Sequence, residues 1–134
     1  MPNLHELENA MPVAPLKLIT LQSADLGSKV NDYLVEYRSS IHNVYNEDPA
    51  FQGYSEKNYQ LDFSAPRFNS GEGKVVLNET VRGKDLFIIV DVCNHSLTYK
   101  MNGYENHMSP DNHYQELKRV IGAAAGKAHR INVI

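Results

Sequence analysis

Arg67-Phe68-Asn69-Ser70-Gly71-Glu72-Gly73-Lys74, followed by Asn78-Glu79-Thr80-Val81-Arg82-Gly83-Lys84-Asp85 and the apolar run Leu86-Phe87-Ile88-Ile89, is the most informative part of this chain. A polar turn containing glycine joins two β-rich runs, and Val81-Arg82-Gly83 punctuates the second junction. Glycine gives the turn its backbone freedom, and the charges beside it are free to face a ligand instead of a core. Strand character at Tyr59–Phe63 and again at Lys74–Leu77 predicts an antiparallel hairpin projecting from a main sheet. Asp85–Val92 is nearly continuous apolar sequence, as expected of a strand covered on both faces.

Upstream, residues 1–15 mix Pro2, Pro12 and Pro15 with polar residues and read as an irregular leader. Leu16–Leu21 suits a buried strand. Ser23 is placed to cap the helix that follows, with Asp25 in its first turn facing the positive end of the dipole. Leu26, Val30, Tyr33, Leu34 and Tyr37 recur at helical spacing and predict its apolar face. Strand followed by helix opens an α/β fold. Residues 39–59 break the rhythm and read as an insertion, with Tyr45, Phe51, Tyr54 and Tyr59 pinning it to its own domain. A second irregular stretch spans about 94–108.

Downstream, Ser109-Pro110 offers a helix start, an N-cap followed by proline at the first position. Tyr114, Leu117, Ile121 and Ala124 are the expected inner face, and Gly126 the terminator. Arg130–Ile134 begins another strand. The whole predicts a three-layer αβα sandwich with a mainly parallel sheet and a projecting β-hairpin. In such sheets ligand-binding loops follow the carboxyl ends of strands. A chain ending at that point favours an isolated domain over a complete enzyme.

Composition narrows the function. The chain has 134 residues, enough for one domain. The single cysteine, Cys93, has no internal partner, and with no signal peptide the reading is cytoplasmic. No uncharged apolar run approaches the ~20 residues of a membrane helix. A formal net charge of −3, with no face rich in Lys and Arg, argues against nucleic acid. Gly122–Lys127 superficially matches a phosphate-binding loop. It ends a helix instead of starting one, and Ala128 stands where the metal-binding hydroxyl belongs. Cys93, His95, His107, Asp111 and His113 fit no compact zinc pattern. Cys93 has no argued base or oxyanion donor to make it a nucleophile.

In order and spacing, the quoted motifs resemble the N-terminal domain of ribose-phosphate pyrophosphokinases, the synthetases of phosphoribosyl pyrophosphate. The family pattern is Arg-Phe-Ser-Asp-Gly-Glu, then Glu-Ser-Val-Arg-Gly-Lys/Glu-Asp and a β-branched run. Asp111-Asn112 resembles the Asn-Asp-Asn that opens the family's last helix. Ala128–Ile134 is similar to the strand after it, one residue shorter. The similarity runs from about Leu16 to Ile134. The segments 39–59 and 94–108 look like insertions, which marks a divergent branch.

The resemblance implies a fold of the phosphoribosyltransferase type and a parent enzyme that transfers diphosphate from ATP to ribose 5-phosphate. The products are phosphoribosyl pyrophosphate and AMP, and the reaction uses Mg²⁺. Members have two similar domains and assemble as homo-oligomers, typically hexamers. By analogy Phe68 stacks on adenine across a subunit interface, Glu72 accepts a hydrogen bond from the exocyclic amine, and Ser70 replaces the usual Asp or Asn. Thr80 and Arg82 match the regulatory phosphate or ADP site, where a guanidinium suits phosphate oxygens. The alternative for Arg82 is a pairing with Glu79 or Asp85. The family's metal and ribose-phosphate segments would follow residue 134, so the chain alone is expected to lack activity. Two rivals remain: a non-catalytic regulatory homologue that binds synthetase subunits, and a free-standing nucleotide-binding module.

Overall fold

In the computed structural model the described residues are 15–21, 24–45 and 54–134. Residues 1–14 of the leader read at 1–15, the Ser23 cap and Phe51 lie outside them, as does the side chain of Tyr45. The elements are β1 (Leu16–Thr20), α1 (Ala24–Tyr45), β2 (Phe63–Ser64), β3 (Val76–Leu77) and β4 (Asp85–Ile89), then β5 (Thr98–Met101), β6 (Tyr104–His107), α2 (Pro110–Ala124) and β7 (Arg130–Val133).

The main sheet has the order β1-β4-β7, all parallel, with Leu18 opposite Phe87 and Asp85 opposite Arg130. Residues 59–61 extend it on the far side of β1. Leu18 N donates to Tyr59 O at 2.8 Å, and Leu61 N donates to Leu18 O at 2.7 Å. The extended run at 59–64 therefore serves two sheets. Its first part lies parallel to β1, and its second part, β2, pairs antiparallel with β3.

Alternation along the strands separates two cores. Leu16, Leu18, Tyr59 and Phe87 face α1 through Val30, Leu34 and Val35. Ile19, Leu61, Leu86 and Ile88 face α2 through Leu117, Val120 and Ala124. Leu86 and Ile88 point one way and Phe87 the other, which requires a helix on each face. The αβα sandwich expected from the sequence is thereby established.

Helical spacing gave the right faces only in part. Leu26 and Tyr33 are exposed, and Tyr33 stacks on Tyr37 at 6.1 Å outside the core. The helix instead buries Arg38, whose guanidinium lies 4.3 Å from the Tyr54 ring centroid and 5.3 Å from that of Tyr59. Tyr59 is fully buried, and its hydroxyl donates to Tyr54 O at 2.9 Å. These two tyrosines do pin their segment to the domain, as the composition suggested. α1 also runs through Tyr45, past the break read at residue 39.

α2 starts as predicted, with Ser109 Oγ accepting from Asn112 N at 3.2 Å and Pro110 in the first turn. Tyr114 is exposed, and His113 and Val120 are buried in its stead. Gly126 supplies the left-handed residue after the helix, at φ 72°. The stretch 94–108 is not irregular: β5 and β6 form a hairpin about Asn102 (φ 52°) and Gly103 (φ 81°). An Asn-Gly pair is the strongest short signal for such a turn.

The candidate adenine-recognition turn and its surroundings

The β2–β3 ribbon is rooted in the α2-side core through Phe63, Val75 and Leu77. It continues outward to a bridge between Arg67 and Gly73. Beyond that bridge Phe68 N donates to Glu72 O at 2.8 Å, and Gly71 N donates to Phe68 O at 2.8 Å. This is the geometry of a three-residue hairpin loop, with Gly71 at φ 88° in the left-handed position such loops require.

The register decides what the turn presents. Residues opposite each other in a ribbon share a face, and successive residues alternate. Arg67 and Gly73 therefore turn one way, and Phe68 and Glu72 the other. Arg67 lies with its guanidinium 4.4 Å from the Tyr99 ring centroid of β5. Gly73 lies against Arg119 of α2, near enough that a Cβ would come within 2.7 Å of its Nη1. Phe68 is 49% exposed, and Asn69, Ser70 and Glu72 are exposed beside it. An aromatic face and a carboxylate thus stand on one outward surface with Ser70 between them in sequence. That pairing suits a flat, hydrogen-bonding ring system.

Thr80 and Arg82 belong to a different segment, just before the amino end of β4. Thr80 Oγ1 accepts from Arg82 N at 3.3 Å, and both side chains are exposed. Neither suggested partner of Arg82 is taken up by it. Glu79 binds Lys17 Nζ at 3.2 Å and Lys84 Nζ at 3.9 Å. Asp85 holds His129 Nδ1 at 2.8 Å and Arg130 Nη2 at 3.1 Å. Burial opposes the charged form of Glu79, yet the Asp62 N–H, the Lys17 ammonium and the Lys84 charge hold its pKa below the usual glutamate value. A cleft of about 550 Å³ runs past this segment, lined by Lys74, Asn78, Glu79, Thr80, Ala123 and Lys127 among others. A smaller cavity of about 210 Å³ lies at the carboxyl end of β1, between Thr20, Gly27 and Gln60. Neither includes Phe68, Ser70 or Glu72. The turn stands outside both, with Phe68, Ser70 and Glu72 exposed.

The histidines of 94–113 are committed to backbone carbonyls. His107 Nδ1 donates to His95 O at 2.9 Å, and His113 Nε2 donates to Asn94 O at 2.8 Å. Cys93 is free and exposed. Among the described residues no group of three or more His, Cys, Asp or Glu side chains is placed to hold a metal ion. Gly122 and Gly126 sit at the end of α2, not at a helix start. Among the described residues no helix is long and apolar enough to cross a membrane. Sequence reasoning missed the polar cluster behind the turn: Arg119, Glu116 and Tyr99. Arg119 and Glu116 stand at i and i−3 on α2, a spacing that reads equally well as a solvated face.

A parallel sheet with a helix on each side, carrying a ribbon whose tip exposes an aromatic and a carboxylate, is an α/β sandwich with a projecting hairpin. A family profile described as the N-terminal domain of ribose phosphate pyrophosphokinase matches residues 16–134. The chain belongs to that family. No curated protein matches it.

Proposed function

We propose that this chain is the N-terminal domain of a ribose-phosphate pyrophosphokinase and that its 67–73 turn supplies the adenine contacts for ATP bound mainly by a neighbouring subunit. The observation that carries this is the outward pairing of Phe68 and Glu72 on an exposed turn, within a domain of this family. Phe68 stacks on the base. Glu72, an acceptor when ionised, takes a hydrogen bond from the exocyclic amine of adenine. Ser70 offers one donor and two acceptor lone pairs on a short side chain, which gives it less reach than an Asp or Asn at that position. Thr80 and Arg82 form a regulatory phosphate site, the guanidinium taking two phosphate oxygens.

The reaction of the parent enzyme joins the β,γ-diphosphate of ATP to the 1-hydroxyl of ribose 5-phosphate. Such transfers depend on positioning and on neutralising charge around the moving group, which Mg²⁺ supplies with the nucleotide. The residues here position the base and leave the reacting atoms to other parts of the enzyme. Selectivity among nucleotides tests the assignment. Guanine carries a carbonyl where adenine carries the amine, so Glu72 repels it. Glu72→Ala should bring kcat/KM for ATP and GTP closer together, by about tenfold for one charged hydrogen bond of ~1.5 kcal/mol or more. An unchanged ratio would remove Glu72 from the site.

A further inference from the structure

The turn does not stand alone. Its inward face is gripped from two sides by elements that have no role in the reading above. On one side is the β5–β6 hairpin. Tyr99 and Met101 are half-buried while Thr98 and Lys100 are exposed, so the strand turns its inner face toward the 67–73 ribbon. The Tyr99 ring lies under the Arg67 guanidinium at 4.4 Å. A Cβ at Gly71 would meet Met101 Sδ at 3.6 Å, ordinary contact distance. Asn102 Nδ2 reaches Asn69 O at 3.4 Å, so the two tips lie side by side.

On the other side is α2. The Arg119 guanidinium lies against the Gly73 backbone, with Nη1, Cζ and Nε at 2.7, 2.9 and 3.3 Å from where a Cβ would sit. Glycine is the residue that allows this approach. Arg119 Nη1 is buried with no hydrogen-bond partner, so what the guanidinium offers the turn is its packing against the Gly73 backbone. Half-buried Glu116 completes the cluster. Burial raises its pKa, and the charges of Arg67, His113 and Arg119 oppose that rise. α2 therefore places the Arg119 guanidinium beneath the base of the turn, with half-buried Glu116 one turn earlier on the same helix.

We propose that the β5–β6 hairpin and α2 form a clamp that fixes the outward reach of the 67–73 turn, with Tyr99 and Arg119 as positioning residues for adenine recognition. The proposal rests on the adenine reading of Phe68 and Glu72. Its logic is that of preorganisation: a loop held in its bound shape has less ordering to do when the ligand arrives. Arg67 is the point of leverage, because it neighbours Phe68 and its ring contact to Tyr99 and its 3.4 Å approach from Nη1 to Gly71 O both oppose rotation of the turn.

The test is kinetic and uses the assembled enzyme that carries this domain. Tyr99→Ala should raise the KM for ATP about two- to fivefold, the low end of the range expected for a cation–π contact. The KM for ribose 5-phosphate should stay within about twofold, a change too small to count as one lost contact. Tyr99→Phe keeps the ring and should restore the KM for ATP. Arg119→Met, which keeps the length of the side chain but not its fork, should act in the same direction as Tyr99→Ala. Phe68→Ala is measured beside them. Should Phe68→Ala raise the KM for ATP while Tyr99→Ala and Arg119→Met leave it at the wild-type value, the clamp is overturned and the adenine reading stands. Should none of the three raise it, both fail. Equal losses in kcat and both KM values would mark general destabilisation and would also overturn the clamp.

Discussion

Truncating Phe68 probes the functional reading where the numbers are most constrained. Full burial of a phenylalanine side chain is worth ~1.5–3 kcal/mol relative to exposure. Phe68 is 49% exposed in the domain, so a ligand covering the remainder gains ~0.7–1.5 kcal/mol from area. Alanine substitutions of base-stacking aromatics cost ~1–3 kcal/mol. The two figures describe one contact and overlap near ~1–1.5 kcal/mol, so Phe68→Ala should raise the KM for ATP about five- to tenfold. The same exposure limits the effect on folding. A core phenylalanine lost to alanine costs ~3–5 kcal/mol. Here the cost should stay below ~1.5 kcal/mol, a fall of less than about 6 °C in Tm for a domain of this size. The assays are initial rates of phosphoribosyl pyrophosphate formation against ATP concentration and thermal unfolding of the same preparations. An unaltered KM would refute the stacking role. A collapse in Tm would show that Phe68 is a packing residue after all.

Three further perturbations address other parts of the account. Arg82→Ala should weaken inhibition by ADP, read as a higher inhibitory concentration, and unchanged inhibition would remove the regulatory assignment. Glu116 has a raised pKa in the folded protein, so its contribution to stability is present below the unfolded-state pKa and is lost as pH rises through the folded value. Glu116→Gln should therefore raise stability to denaturant at pH 7 and leave it near wild type at acid pH; a loss at pH 7 would mean that the arginines outweigh burial. Ile88 is fully buried in the central strand, so its substitution by alanine should cost ~2–5 kcal/mol of stability, and an unfolding free energy from denaturant titration lowered by less than about 1 kcal/mol would contradict its place in the core.

Much of the architecture was legible because its signals are local. Leu16–Thr20 and Asp85–Ile89 are apolar strands, Ser109-Pro110 is a complete helix start, and Gly71 is a turn residue in the conformation glycine favours. The two helix faces were less legible because spacing identifies a stripe but not its centre. Tyr33 and Tyr114 satisfy the period and lie outside, while Arg38 and His113 lie inside, Arg38 against aromatic rings and His113 bonded to a carbonyl. The β5–β6 hairpin lies in a polar stretch whose one local signal is the Asn102-Gly103 turn, with too little apolar alternation around it to mark the strands. The clamp was beyond reach from the chain alone. Arg67, Tyr99 and Arg119 are far apart in sequence, and only the docking of a hairpin and a helix on one ribbon brings them together.

The central claim is that this domain carries a base-recognition turn to a nucleotide held by another subunit. The most direct measurement is the structure of the assembled enzyme with ATP bound. The account predicts the Phe68 ring over adenine, Glu72 on its exocyclic amine, and the triphosphate on an adjacent protomer. Adenine bound away from this turn, or the whole nucleotide held within one protomer, would contradict it.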